Sequence, residues 1–222
     1  MIWLVLTLVV FYSCRFLAQR VKHPLSNPLL FSLLVLIPTL LLLEVPYETY
    51  FEGNQAIHLM LQPAVVALAY PLYAQLPAIK AQWRLLLSAC LVGSLLAMLS
   101  GAGAALLLGA ELELVAAVLP KSVTTPIAMS VTEGLGGETT ISALMVLVAG
   151  LFGALFGYPI LRMMGISSPI ARGLAIGSVS HALGTARAVE EHHQDAAMSS
   201  MALVLCGVIT SLLAPLVFMV FS

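Results

Sequence analysis

Charged side chains are so sparse in this chain that long stretches contain none, and their spacing limits what it can fold into. Only 9% of the 222 residues are Asp, Glu, Lys or Arg, and 61% are hydrophobic, whereas soluble domains carry about 25% charged residues. A membrane-spanning helix takes about 20 mostly apolar residues. Runs of that kind lie roughly at 1–18, 28–43, 57–76, 85–109, 114–132, 140–161, 171–189 and 199–221. The expected fold is therefore an all-α integral membrane protein with about 7–8 transmembrane helices embedded in a lipid bilayer. A mean hydropathy of +1.06 excludes a water-soluble enzyme or a disordered tail. With 9 Lys+Arg against 10 Asp+Glu, no basic surface is offered to nucleic acid. Cys14, Cys90 and Cys206 lie far apart inside apolar runs and read as small core residues, not as a disulfide or metal set.

The charges between the runs suggest an orientation. The first run begins at Met1 and is followed by Arg15, Arg20 and Lys22, the reverse of a secretory leader. An uncleaved first helix with its N-terminus outside is expected. Glu44, Glu48 and Glu52 then fall outside, Lys80 and Arg84 inside, and Glu111 and Glu113 outside. If 114–132 crosses, Arg162 and Arg172 end up outside, against the positive-inside tendency. If it dips in and returns, both become cytoplasmic, while Glu133, Glu138, Glu190, Glu191 and Asp195 join the outer loops. The second reading puts every acid outside and seven of the nine basic residues inside.

Run starts at 1, 28, 57 and 85 are echoed at 114, 140, 171 and 199. The chain therefore reads as one transmembrane domain over 1–222, with an internal repeat of 1–110 and 114–222. With a dipping 114–132 segment the repeat is inverted, the arrangement common in secondary transporters. With a crossing segment it is parallel. The charge sorting favours the inverted form, with broken or re-entrant segments.

Polar groups within apolar runs are the best functional evidence such a sequence offers. Pro120 and Pro126 flank Lys121, Ser122, Thr124 and Thr125. The prolines disfavour a continuous helix, and broken backbone at membrane depth persists only beneath protein or around water. The freed N–H groups, hydroxyls and ammonium suit an anion. A second stretch carries Gly177, Ser180, His181, Gly184, Thr185 and Arg187, whose glycines permit close approach or unwinding. A third, around Gln62, Pro63, Tyr70, Pro71 and Tyr73, is also broken by proline. All ten acids lie at run ends, so the charges within the membrane are basic and a small organic anion is the expected substrate. Sodium held by backbone carbonyls would leave no trace in sequence.

Simpler roles compete at several positions. Arg187 stands beside Glu190 and Glu191, where an interfacial ion pair competes with a ligand role. For His181, a helix–helix hydrogen bond competes with substrate or proton chemistry. Pro63 and Pro71 have the alternative of merely kinking a helix. His192, His193 and Asp195 lack the spacing of a metal set. Lys121-Ser122 lacks the geometry of a catalytic dyad, so no enzyme, metal or cofactor is expected.

These residues carry a resemblance. Pro120-Lys121-Ser122-Val123-Thr124-Thr125-Pro126-Ile127-Ala128, Gly134-Leu135-Gly136-Gly137, Ser168-Pro169-Ile170-Ala171-Arg172-Gly173 and Ser180-His181-Ala182-Leu183-Gly184-Thr185-Ala186-Arg187 resemble the LrgB/CidB family. Upstream, Asn27-Pro28-Leu29, Val45-Pro46-Tyr47-Glu48 and Pro63-Ala64-Val65 agree as well, with Gln62 standing where glycine is expected. The resemblance implies one of two roles. The first is holin-like or antiholin-like regulation of murein hydrolases and autolysis. The second is inner-membrane transport of a small monocarboxylate of the glycolate, glycerate or pyruvate type, as in the plastid glycolate/glycerate translocator; ion or proton coupling is expected from the inverted-repeat reading. In that relative an LrgA-like half precedes the LrgB-like half, which implies a separate LrgA/CidA-type partner here; a homo-oligomer is also admitted. The basic intramembrane groups favour transport, with the two broken stretches closing around the anion.

Overall fold

The computed structural model describes residues 2–20, 28–60, 63, 66, 70, 73, 76–77 and 80–221. Gln62, Pro71 and Lys22 lie outside the described residues; Pro63 is an exposed helical residue. The principal helices are α1 (Ile2–Arg20), α2 (Pro28–Leu42), α3 (Tyr47–Gly53), α4 (Gln55–Leu59), α5 (Trp83–Leu107), α6 (Leu112–Val118), α7 (Thr125–Gly134), α8 (Thr139–Met163), α9 (Pro169–Glu191) and α10 (His193–Phe218). No strand occurs among the described residues. Four helices, α1, α5, α8 and α10, are long and apolar enough to cross a membrane, and α2 is a shorter apolar helix.

The chain packs as two units, residues 1–64 and 65–222. In the first, α3 folds back onto the first turns of α1. The Thr7 and Tyr50 hydroxyls bond at 2.7 Å, and a Cβ on Gly53 would lie 2.7 Å from the Trp3 ring. Trp and Tyr beside Glu48 and Glu52 have the composition of a helix lying at a bilayer surface.

In the second unit, α5 and α10 run in the same direction. Leu86 and Cys90 pack with Met201, Ala202, Leu205 and Cys206, while Met98 and Ala102, further along α5, pack with Ala214 and Val217. Between α5 and α8 the chain forms a hairpin. Helices α6 and α7, of 7 and 10 residues, span about 10 and 15 Å, too short to cross about 30 Å of hydrocarbon. The Thr132 hydroxyl near the end of α7 lies 3.3 Å from the Ala116 carbonyl of α6 and 2.9 Å from the Ser142 hydroxyl. A Cβ on Gly137 would lie 2.9 Å from the Glu113 carbonyl. Segment 114–132 thus returns to the end at which it started. Pro120 sits in the turn and Pro126 in the first turn of α7, where its missing N–H costs nothing.

A second hairpin lies where the sequence predicts a span over 171–189, and the expectation is corrected here. Helix α9 breaks at His181 (φ 40°, ψ −135°). Residues eight apart on a straight helix are about 12 Å apart along its axis, yet a Cβ on Gly184 would lie 2.9 Å from the Ile176 side chain. The arms 169–180 and 182–191 therefore fold against each other. Both open ends meet the end of α8 and the start of α10. Arg172 on the first arm donates to buried Asp195 of α10 at 3.0 and 3.2 Å. The Tyr158 hydroxyl of α8 donates to the same carboxylate at 3.0 Å. On the second arm, Glu191 accepts from Arg162 of α8 at 2.5 Å and from Arg187 at 2.6 Å.

This geometry also overturns the expectation that every acid lies outside. Glu190, Glu191 and Asp195 share an end of the unit with Arg162 and Arg172 and are paired with basic residues there. The sorting by sign fails because residues 169–191 do not cross. The first hairpin is reached from the C-terminal end of α5 and the second from the opposite end, so the two point toward each other.

Cysteine labelling tests this topology. The native cysteines are buried, so single exposed reporters are readable. Glu111→Cys and Glu133→Cys should react from one face of the membrane, and Ser167→Cys and His193→Cys both from the other. Labelling of Ser167→Cys and His193→Cys from opposite faces would mean that 169–191 crosses. Asp195→Ala, which strands Arg172 and the Tyr158 hydroxyl, should cost about 3 kcal/mol. The readout is a lower Tm in detergent, partly restored by adding Arg172→Leu.

Candidate functional site

The two hairpin tips approach each other near the middle of α8. Val123 of the first tip packs on Val146, and the imidazole of the second bonds the Val146 carbonyl through Nε2 at 2.8 Å. On α5, Lys121 reaches Ala97 and Gly101, while Ser178 lies one turn away against Gly93. On α10, Thr185 bonds Ser199 and Ile127 packs against Gly207. Small residues on the crossing helices make room. A Cβ on Gly150 would come within 2.5 Å of His181 Nε2, and one on Gly153 would overlap Ser180. Close packing through glycine is a recurrent feature of membrane helices.

The polar groups at the first tip are only partly satisfied. Lys121 Nζ donates to the Ala97 carbonyl at 2.9 Å. Its neighbours Ser122 Oγ and Thr124 Oγ1 are buried with no hydrogen-bond partner. Thr124 occupies the N-cap position of α7 with extended backbone (φ −67°, ψ 147°) but makes no side-chain cap. The first-turn N–H groups of a helix lack intrahelical acceptors and carry the positive end of its dipole. Thr125 is the first residue of this turn. Hydroxyls, N–H groups and an ammonium together make a donor-rich pocket for an oxyanion. A cavity of 610 Å³, lined by Gly101, Ala104, Leu114, Val118 and Met145 among others, adjoins Lys121.

The second tip contributes His181, which is 4% exposed. Its backbone lies in a region that residues with a side chain rarely adopt, at a cost of about 1–3 kcal/mol. The Val146 carbonyl can only accept, so Nε2 carries the proton and Nδ1 presents a lone pair. That Nδ1 is buried with no partner. Thr185 Oγ1 lies 2.8 Å from the His181 carbonyl and 2.8 Å from Ser199 Oγ. Ser180 is buried between Gly153 and Gly184.

Of the residues singled out in sequence, Lys121, Ser122, Thr124, Thr125, Ser180, His181 and Thr185 are thus at or beside the tips. Arg187 is not. It pairs with Glu190 at 2.5 Å and Glu191 at 2.6 Å toward the open end of the second hairpin. Gly177 and Gly184 do not unwind the helix; the first lets α9 approach the Ser199 backbone, and the second lets one arm approach the other. The break falls on His181 itself. The supporting positions Ala97, Gly101, Val146 and Gly150 carry no sequence mark beyond small or apolar character. Among the described residues, no three or more His, Cys, Asp or Glu side chains converge as metal ligands.

Comparison with known proteins agrees over nearly the whole chain. An uncharacterized protein of Haemophilus influenzae is 46% identical over 213 residues, covering 96% of this chain and 92% of its own. YxaC of Bacillus subtilis is 37% identical, with 98% and 95% covered. A protein named holin-like protein CidB from Staphylococcus aureus is 33% identical, with 100% and 96% covered. No solved structure matches. Residues 7–220 match the LrgB-like family, and the chain, all-helical with several helices able to cross a bilayer, is a multi-pass membrane protein belonging to that family.

Proposed function

We propose that this protein is a carrier for small monocarboxylates of the glycolate, glycerate or pyruvate type in the bacterial inner membrane. The observation that carries the reading is the meeting of two opposed hairpin tips deep in the fold. They present Lys121, the unpartnered hydroxyls of Ser122 and Thr124, and the unpartnered Nδ1 of His181. A buried polar group left without a partner is costly, and a bound carboxylate supplies acceptors for the donors of the first tip. Lys121 and the start of α7 hold the carboxylate. His181, with Ser180 and Thr185 behind it, closes the site from the second hairpin. Arg187, held by two glutamates, keeps the second hairpin in place instead of contacting substrate.

Opposed hairpins are the form in which inverted repeats build a midplane site and permit access from alternate sides. In this proposal both units, 1–64 and 65–222, serve one transmembrane domain, with a small LrgA/CidA-type membrane protein as partner. The chemistry asked of the site is binding and release, which needs no cofactor and no catalytic residue.

A second reading comes from the printed name of the CidB relatives, holin-like protein. A holin-like regulator of murein hydrolase activity acts by forming, or restraining, a wide leak. Compact polar tips are a poorer lining for a wide pore than a polar stripe along a helix.

In proteoliposomes containing the LrgA-type partner, labelled glycolate or pyruvate should enter saturably and compete with other short monocarboxylates. Lys121→Met should reduce uptake by at least about 100-fold, since a charge-assisted contact worth about 3 kcal/mol is lost. Its elution on size exclusion should be unchanged. Unchanged uptake removes Lys121 from the site, and indiscriminate dye leakage favours the holin-like reading.

A further inference from the structure

The arrangement around His181 goes beyond anion binding. Because Nε2 is committed to the Val146 carbonyl, the neutral ring offers a lone pair at Nδ1, and among the described residues none donates to it. A carboxylate offers lone pairs too. Its arrival therefore leaves Nδ1 with two outcomes, repulsion between acceptors or a proton between them. In a dry setting the second is strongly preferred, because the imidazolium then faces an anion and donates to it.

The surrounding charges leave that role to His181. Among the described residues, the titratable groups on the packed elements are Arg84 and Cys90 on α5, Lys121 at the first tip, Tyr158 and Arg162 on α8, and His193, Asp195 and Cys206 on α10, with Arg84 and His193 at the exposed starts of their helices. Glu111, Glu113, Glu133 and Glu138 stand at the open end of the first hairpin. On the arms of α9 itself are Arg172, Arg187, Glu190 and Glu191. Asp195 is bonded to Arg172 and Tyr158, and Glu190 and Glu191 are paired with arginines. Arg172 lies nine residues from the break, about 13 Å along the arm. Lys121 Nζ is engaged as a donor to the Ala97 carbonyl. Among the described residues no carboxylate is placed at the tips to serve as a relay, so the unpartnered ring nitrogen is the acceptor available there.

We propose, on the basis of the carrier reading above, that His181 is the coupling residue: Nδ1 takes up a proton together with each bound carboxylate and releases it with the anion, making transport an electroneutral proton–anion symport. The proton comes from the solvent on the loading side and leaves to the solvent on the other, with no bond formed to the substrate. The strained backbone is retained because it sets the imidazole on Val146 of α8, the residue on which Val123 of the first tip packs. Gly150 is retained because it admits the ring against α8.

The test uses the full chain with its LrgA-type partner in proteoliposomes, loaded with alkaline buffer and placed in acid medium. A gradient of about one pH unit should sustain about tenfold accumulation of labelled glycolate and of pyruvate alike. His181→Gly, which relieves the positive φ, and His181→Asn, which tolerates it, should both lose gradient-driven accumulation. Any residual exchange should be independent of pH from about 6 to about 8. Counterflow by the wild type without response to the gradient overturns the coupling proposal and leaves the carrier reading intact, while absence of counterflow overturns the carrier reading itself. Accumulation of glycolate but not pyruvate would assign Nδ1 to the substrate hydroxyl and overturn the symport role. Independently of the variants, adding either anion to purified wild-type protein in weakly buffered solution near pH 8 should take up close to one proton per anion bound; no uptake overturns the proposal.

Discussion

The structure depends on one constraint, that a backbone N–H or C=O within hydrocarbon must have a partner or be covered. An unbroken helix meets it alone. A broken one does not, so each break here lies where other elements cover it: the 119–124 turn against α5 and α8, and His181 against α8 and α10. The long helices α5, α8 and α10 enclose two short hairpins, with Ser122, Val123, Ser180 and His181 buried at their tips. Their glycines at 93, 101, 150 and 153 let the hairpins come close enough for side chains of one element to reach the backbone of another.

Electrostatics follows the same division. The mouth of the second hairpin is closed by ion pairs tying both arms to α8 and α10. The mouth of the first brings Glu111, Glu113 and Glu138 around one shallow cavity and is fastened through Thr132, Ala116 and Ser142. Between the two mouths lie the unpartnered Ser122 Oγ, Thr124 Oγ1 and His181 Nδ1. Buried capacity of this kind has value only when something arrives to fill it.

The sequence makes these features legible to very different degrees. The first hairpin can be read directly, because Pro120 and Pro126 remove backbone donors within an apolar run and leave little alternative to a break. The second cannot. No proline lies between Pro169 and Glu191, and the break falls on a histidine whose positive φ is imposed by its tertiary setting. The flanking Gly177 and Gly184 invite a reading as points of unwinding, yet both serve packing. That one break puts Glu190, Glu191 and Asp195 at the same end as Arg162 and Arg172, since one crossing more or less inverts everything after it. Arg187 has its charge consumed locally by its sequence neighbours Glu190 and Glu191. Lys121, Ser122, Thr124 and His181 stand out in the sequence because a polar group deep in an apolar run has few inexpensive explanations.

The second hairpin also imposes an order on synthesis. Its two arms are fastened by Asp195 and Ser199, which leave the ribosome after both arms. Until α10 has been made, Arg172 lacks its carboxylate and the glycine face at 173 and 177 lacks the backbone it fits. The nascent hairpin must therefore wait, with its broken tip incompletely covered, for the last helix. Assembly of the centre is consequently a late, C-terminal event, and a ribosome stalled before α10 would hold a chain in which the first hairpin is fastened at its mouth through Thr132, Ala116 and Ser142 while the second is still open.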